Sequence, residues 1–238
     1  MAPRACGGWQ GDVRRVFALI PVHIQLTDVL ACPKCGPESG LIVRSDVMKD
    51  RRVIEGVLGC PQCETHYPIR GGVALLGPPN PATEPRDIAD PEQASIRMAA
   101  LLGATEPLGF VLVLGPAASA VAPLARIVDN TEIIADAPSA PAASMDSVSR
   151  LTVGERLPFY SSRLRAIWLS GNAADRLLEE GARVLHPLGR LVLEPSPLDA
   201  RARLEAAGLR VLAEQDRTVL AVRGQGPQFA SGHKPSLS

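Results

Sequence analysis

Four of the five cysteines fall into two pairs, Cys32-Pro-Lys-Cys35 and Cys60-Pro-Gln-Cys63, with 24 residues between them. Each C-x2-C turn aims two sulfurs at one point, and two such turns supply the tetrahedral thiolate set that Zn²⁺ prefers. Redox thiols and disulfides are the competing explanations. No helix N-terminus is evident beside either pair to depress a thiol's pKa. No secretory leader is evident either, because residues 16–26 carry Pro21, His23 and Gln25 and lead to no small-residue cleavage site. Zinc on Cys32, Cys35, Cys60 and Cys63 is therefore the expectation. Four protein ligands leave no open position, so that zinc would be structural. In a segment too small for its own core it would contribute about 10–16 kcal/mol to folding. Cys6 stands apart and is expected to be dispensable for the metal.

The surrounding residues carry a resemblance. Leu30-Ala-Cys-Pro-Lys-Cys35, Leu58-Gly-Cys-Pro-Gln-Cys63 and Tyr67-Pro-Ile-Arg-Gly-Gly-Val-Ala-Leu-Leu76 resemble the small zinc-ribbon family of tRNA-methyltransferase-activating subunits and their short bacterial relatives. Tyr67, Pro68, Ile69, Arg70 and Gly72 match the family's segment after the second pair, while Gly71 replaces the usual Asp and Ala74 the usual Pro. The resemblance spans about residues 24–77. It implies a non-catalytic partner that packs on methyltransferases, so another methyltransferase or a translation-related protein is the expected class of partner. It also implies that the ribbon packs on the rest of its own chain.

The remaining organisation follows from punctuation and apolar runs. Residues 1–21 are expected to be a disordered tail or a mis-assigned start, 22–76 the zinc ribbon, and 77–91 a linker with five prolines. Residues 92–223 form an α/β block, and 224–238 lack the apolar content to pack and are expected to be a disordered tail. In the ribbon, 40–44 and 52–58 have β character. In the block, the runs at 109–114, 131–135, 164–169 and 190–193 are continuous enough for strands buried on both faces. Residues 92–102, 172–185 and 197–208 have helical spacing, with Asn172 placed to cap the second and His186 to close it. Residues 209–214 and 218–222 follow with no helix between them, as an antiparallel pair. The expected fold is α/β, a doubly wound and mostly parallel sheet with an antiparallel C-terminal hairpin and a small N-terminal β-rich zinc ribbon.

Charge excludes some functions. Lys+Arg 25 balance Asp+Glu 25, and residues 22–80 hold six of each sign, so no surplus cation serves nucleic-acid phosphates or anionic lipid. Direct nucleic-acid binding and membrane association are not expected. The uncharged stretch 107–125 has Gly115-Pro116 at its centre and Pro123 near its end, which suits strand, turn and helix better than a membrane span. A cytoplasmic location is the expectation.

The block resembles class I S-adenosylmethionine-dependent methyltransferases in three stretches: Val111-Leu-Val-Leu-Gly-Pro-Ala-Ala-Ser119, Leu157-Pro-Phe159 with Leu164-Arg-Ala-Ile-Trp-Leu-Ser170, and Ala182-Arg-Val-Leu-His-Pro-Leu-Gly-Arg-Leu-Val-Leu-Glu-Pro195. The resemblance covers about residues 92–223. It implies an acid at the end of the first strand followed by a G-x-G-x-G turn that lets backbone approach the cofactor. Here the acid position is Val113, the glycine positions read Gly115, Ala117 and Ser119, and Pro116 removes a donor. The acid expected to contact adenine is replaced by Val153. The positions that remain for a cofactor are Gly115, Asp136 for the ribose hydroxyls, Glu155 and Ser170. Each has a plainer explanation, as a tight turn, a loop acid, a surface charge or the approach to a helix cap. No catalytic residue is evident.

Three functions stay open: an active methyltransferase with a built-in ribbon acting on RNA, protein or a small molecule; a degenerate methyltransferase-like protein that binds or activates a partner, with S-adenosylmethionine bound weakly if at all; and a zinc-ribbon nucleic-acid module. The lost acid and glycines favour the second, and neutral charge disfavours the third. Whether the chain is an enzyme is left open.

Overall fold

The computed structural model describes residues 22–78, 88–104, 108–140 and 146–224. Both expected disordered tails and most of the Pro-rich linker lie outside these residues, except Gly224 and the linker's two ends.

The N-terminal segment is almost entirely β. It runs β1 (Val22–His23), β2 (Ala31–Cys32), β3 (Gly36–Gly40), β4 (Ile42–Lys49), β5 (Arg52–Gly59), β6 (His66–Arg70) and β7 (Val73–Leu75). β4 and β5 form an antiparallel hairpin between the two cysteine pairs, as the 24-residue spacing permits. β6 pairs with β5 and β7 with β6, both antiparallel.

The second segment alternates. α1 (Pro91–Leu102) starts at Asp90, whose carboxylate accepts the Gln93 N–H at 3.0 Å, has Pro91 in its first turn, and stops at Gly103 in the left-handed region. Then follow β8 (Gly109–Leu114), α2 (Val121–Ile127), β9 (Thr131–Asp136), β10 (Val148–Thr152) and β11 (Leu164–Ser170). The chain continues through α3 (Asn172–Arg176), α4 (Leu178–Val184), β12 (Leu185–Glu194), α5 (Ala200–Ala206), β13 (Leu209–Gln215) and β14 (Thr218–Arg223). The expected single helix over 172–185 is two short ones that break at Leu177. Gly171, not Asn172, occupies the cap position of the first. Nor does His186 close the second. Arg223 does so, donating to the carbonyls of Ala182, Arg183 and Leu185.

The two segments share one sheet. Among the described residues its order is β1-β5-β6-β7-β10-β9-β8-β11-β12-β14-β13, with β4 on the outer side of β5. β10, β9, β8, β11 and β12 are parallel neighbours, and β14 inserts antiparallel between β12 and β13. The junction is the parallel pair β7·β10, with Val73 opposite Arg150 and Leu75 opposite Thr152. Apolar runs such as Ala166-Ile-Trp-Leu169 feed both faces of the sheet alternately. Ile167 and Leu169 enter a core that also holds Leu26, Leu30, Leu58 and Ile69 of the ribbon, while Ala166 and Trp168 enter a second core under α1 and α2. The ribbon therefore buries its apolar side chains in the α/β half's own core. A buried ion pair reinforces the junction: Arg52, at the start of β5, bonds Glu132 on β9 at 2.8 and 3.2 Å and the Val148 carbonyl at 2.9 Å. Among the described residues no helix is long and apolar enough to cross a membrane.

Candidate functional site

The first candidate is the thiol cluster. β2 ends in Cys32 and the turn into β3 brings Cys35, while the turn between β5 and β6 brings Cys60 and Cys63. All four sulfurs lie within 4.8 Å of one another. Cys32 and Cys63 Sγ are 3.7 Å apart, and Cys35 and Cys60 Sγ 3.8 Å. A tetrahedron with Zn–S bonds of about 2.3 Å has edges of about 3.8 Å. Two of the six sulfur separations already match that edge, and all four thiols are close enough to hold one metal ion.

The cluster's electrostatics are uneven. Burial works to raise the Cys32 pKa, but bonds from the Tyr67 hydroxyl and the Cys35 and Lys34 N–H groups outweigh it and hold it low. Thr65 draws Cys63 down to about 6 through its hydroxyl and its N–H. Cys35 is pushed up to about 12 by hydrogen bonding to the Cys63 thiol and by burial. Thiolates thus form most readily at Cys32 and Cys63, which starts the deprotonation a metal completes.

The second candidate is the carboxyl edge of the parallel strands, where open α/β sheets hold their ligands at the point of strand-order reversal. β10, β9, β11 and β12 end on Thr152, Asp136, Ser170 and Glu194, and β14 starts there with Thr218. Order reverses between β8 and β11, so Gly115 and Ser170 flank the crevice. Gly115 has φ +79°, and a Cβ there would run into the Ser170 carbonyl oxygen. Ser170 Oγ donates to the Leu114 carbonyl at 2.8 Å and accepts the Ala117 N–H at 2.9 Å. The Gly115 backbone faces the Asp136 carboxylate and pulls its pKa down, and the Ala118 N–H bonds the Gly115 carbonyl at 2.9 Å. Pro116 has no N–H to give, and its ring lies against Gly171. The Ala117 and Ala118 N–H groups are both used within the chain.

Of the four cofactor positions expected from sequence, the structure joins three: Gly115 contacts both Asp136 and Ser170. Glu155 lies exposed in the bend beyond β10, and no hydrogen bond among the described residues ties it to the others. Asp136 is buried, which raises its carboxyl to about 6 against the opposing pull of the Gly115 N–H and Arg176. Ser139 Oγ, on the turn after β9, is buried with no partner among the described residues. Val113 and Val153, at the two vanished acid positions, are both buried apolar side chains. Beside Val153 the chain leaving β7 presses close: Gly77 backbone packs on Val153–Gly154, and Thr152 Oγ1 donates to the Gly77 carbonyl at 2.6 Å.

Sequence reasoning missed Thr152, Glu194 and Thr218. Glu194 pairs with Arg97 at 2.7 Å, and Arg97 also donates to Thr218 at 2.7 Å and lies 5.7 Å from the Trp168 ring centre. The available signal was the polar residue that ends each apolar run.

One comparison bears on the thiol cluster. The family model described as Trm112p-like protein matches residues 23–72, the stretch that carries the four thiols and the strands β3 to β6. No curated protein matches the chain. Among solved structures, the [4+2]-cyclase SpnF is similar at TM-score 0.48 and 14% identity, over 63% of this chain and 89% of that one. Human N-acetylserotonin methyltransferase, solved with S-adenosylmethionine, is similar at TM-score 0.42 and 16% identity over 57% of this chain and 54% of that one. The geranyl diphosphate C-methyltransferase of Streptomyces coelicolor is similar at TM-score 0.42 and 15% identity, over 51% and 61%.

Proposed function

We propose that this chain is a degenerate methyltransferase-like protein that carries its Trm112p-like activator segment built in, and that it acts by binding or activating a partner. Zinc on Cys32, Cys35, Cys60 and Cys63 belongs to the same reading: it fits the 3.7 and 3.8 Å sulfur separations and, with all four positions filled by protein, cross-links two turns and contributes no chemistry to substrate. The observation that carries the degenerate reading is the closed turn after β8. The Ala117 and Ala118 N–H groups, which a cofactor would need, are spent on Ser170 and Gly115. Two carboxylates that would hold the cofactor are valines, and charged hydrogen bonds contribute about 1.5–3 kcal/mol each. Their loss turns a micromolar site into one near or beyond millimolar, at about 1.4 kcal/mol per tenfold.

The ribbon's place in the sheet supports the built-in part. β7 has β6 on one side and β10 on the other, so neither of its edges is open to a second methyltransferase. An outside partner would meet the free edges instead, at β4 or β13.

A second reading, an active S-adenosylmethionine-dependent methyltransferase, is favoured by Asp136. A carboxylate held in a buried position above its ordinary pKa costs stability, and such costs concentrate at ligand sites. Titration of S-adenosylmethionine into the purified full chain separates the two: tight binding supports the enzyme, and none supports the degenerate protein.

A further inference from the structure

The strand that leaves the second cysteine pair does more than carry the chain into β6. Thr65 and Tyr67 are two residues apart, so an extended backbone puts both side chains on one side, and that side faces the sulfurs. The Tyr67 hydroxyl is 3.4 Å from Cys32 Sγ, and Thr65 Oγ1 is 3.2 Å from Cys63 Sγ. The Cys35 N–H is a further donor to Cys32 Sγ, at 3.4 Å. With the thiol protonated, Cys63 Sγ donates to Thr65 Oγ1, whose hydroxyl donates to the Cys63 carbonyl at 3.5 Å. A metal-bound sulfur is a thiolate with no proton to give, so in the loaded cluster both hydroxyls turn to the sulfurs as donors. The other two sulfurs have no such support. Among the described residues Cys35 Sγ and Cys60 Sγ, 3.8 Å apart, have only the other thiols of the cluster as hydrogen-bond partners. Burial divides the set differently: Cys32 and Cys60 are buried, while Cys35 and Cys63 are half-exposed. Of the four, only Cys35 is both reachable and without a donor from outside the cluster among the described residues.

From this we infer that Thr65 and Tyr67 are positioning residues that hold the metal through its thiolates, and that Cys35 is the ligand at which electrophiles attack and the metal leaves. The inference rests on the zinc reading above. A hydrogen bond to a thiolate draws off charge and lowers its nucleophilicity, and loss of such an outer partner typically costs 10–100-fold in metal affinity. Cys63 makes the internal comparison, since it shares Cys35's exposure and differs in having Thr65 beside it. With a maleimide as the electrophile, the thiolate sulfur adds to the double bond, a sulfur–carbon bond forms, the carbanion takes a proton from water, and the metal loses one ligand.

The test uses the full chain purified without added metal. Metal content is measured first, and a metal-free folded protein would sink the zinc reading itself. With one zinc per chain, release to a chromogenic chelator is timed for the wild type, Tyr67→Phe and Thr65→Val. Limiting N-ethylmaleimide followed by peptide mass spectrometry gives the order of labelling. The expected results are release about 10–100-fold faster in either variant, urea midpoints in saturating zinc close to wild type, and Cys35 labelled ahead of Cys63. Thr65→Val, which removes the hydroxyl and keeps the N–H, should raise the Cys63 labelling rate towards that of Cys35. Full metal content with release within twofold of wild type in both variants, or Cys63 labelled as early as Cys35 in the wild type, overturns the inference and leaves the zinc reading standing. If Tyr67→Phe does not fold, Thr65→Val alone decides by the same two readouts.

Discussion

Replacing Arg52 by Met removes one half of the ion pair that joins the ribbon to the α/β half. The Arg52 side chain is 5% exposed and that of Glu132 13%, so water screens the pair little. The guanidinium meets both Glu132 carboxylate oxygens, and it also donates to the Val148 carbonyl and to the Asp146 carbonyl. Met fills a similar volume but leaves Glu132 buried without a countercharge and the carbonyls without their donor. Removing one partner of a buried pair costs about 3–5 kcal/mol. For a chain of this length that is a fall in Tm of roughly 6–20 °C. Urea unfolding of zinc-loaded protein measures the loss. The double variant Arg52→Met, Glu132→Gln should recover much of it, because the stranded charge is then gone. A single-variant loss below about 1 kcal/mol, or a double variant no better than the single, would refute the assignment of this pair as a clamp.

Three further outcomes are expected. Asp136→Asn should stabilise the protein by about 1–3 kcal/mol at pH 8 and hardly at all near pH 4. The sign follows because a carboxyl raised to about 6 takes up a proton on folding, so stability falls as pH rises from about 4 to about 6 and stays lower above; urea midpoints at the two pH values check it, and equal effects at both would contradict it. Stripping zinc with a chelator, or Cys60→Ser, should lower the unfolding midpoint of the whole chain, because the ribbon shares a core with β8 and β11; a tryptophan-fluorescence transition indifferent to zinc would count against that. Gly77→Ala should cost about 1–3 kcal/mol, since the added Cβ runs into the Gly154 backbone, and a urea midpoint unchanged from wild type would show that the chain leaving β7 does not press on β10.

Local chemistry was readable from the sequence, and long-range pairing was not. The cysteine spacing announced the thiol cluster, and the apolar runs announced β8, β9, β11 and the middle of β12. Val148-Ser-Arg-Leu-Thr152 gave no such signal, because Arg150 interrupts the run in a strand bordered by β7. That border lies 77 positions from its partner by register, Val73 against Arg150, and nothing local specifies a pairing at that range. Gly171 displaced Asn172 from the cap because the turn there needs φ +58°, which glycine adopts without strain. The gap at Val113 was visible as a missing acid. The closure of the turn was not, since it depends on Ser170, which belongs to a strand 56 residues away from the Leu114 it bonds.

Calorimetric titration of S-adenosylmethionine into the zinc-loaded full chain tests the central claim most directly. The turn from Gly115 to Ala118 keeps the Ala117 and Ala118 donors for Ser170 and for itself, so binding should be absent or weaker than about 1 mM. The companion variant Ser170→Ala frees the Ala117 N–H and should strengthen any binding that the wild type shows. A dissociation constant below about 10 μM for the wild type would contradict the degenerate reading and make this chain a methyltransferase that binds its cofactor without the usual carboxylates.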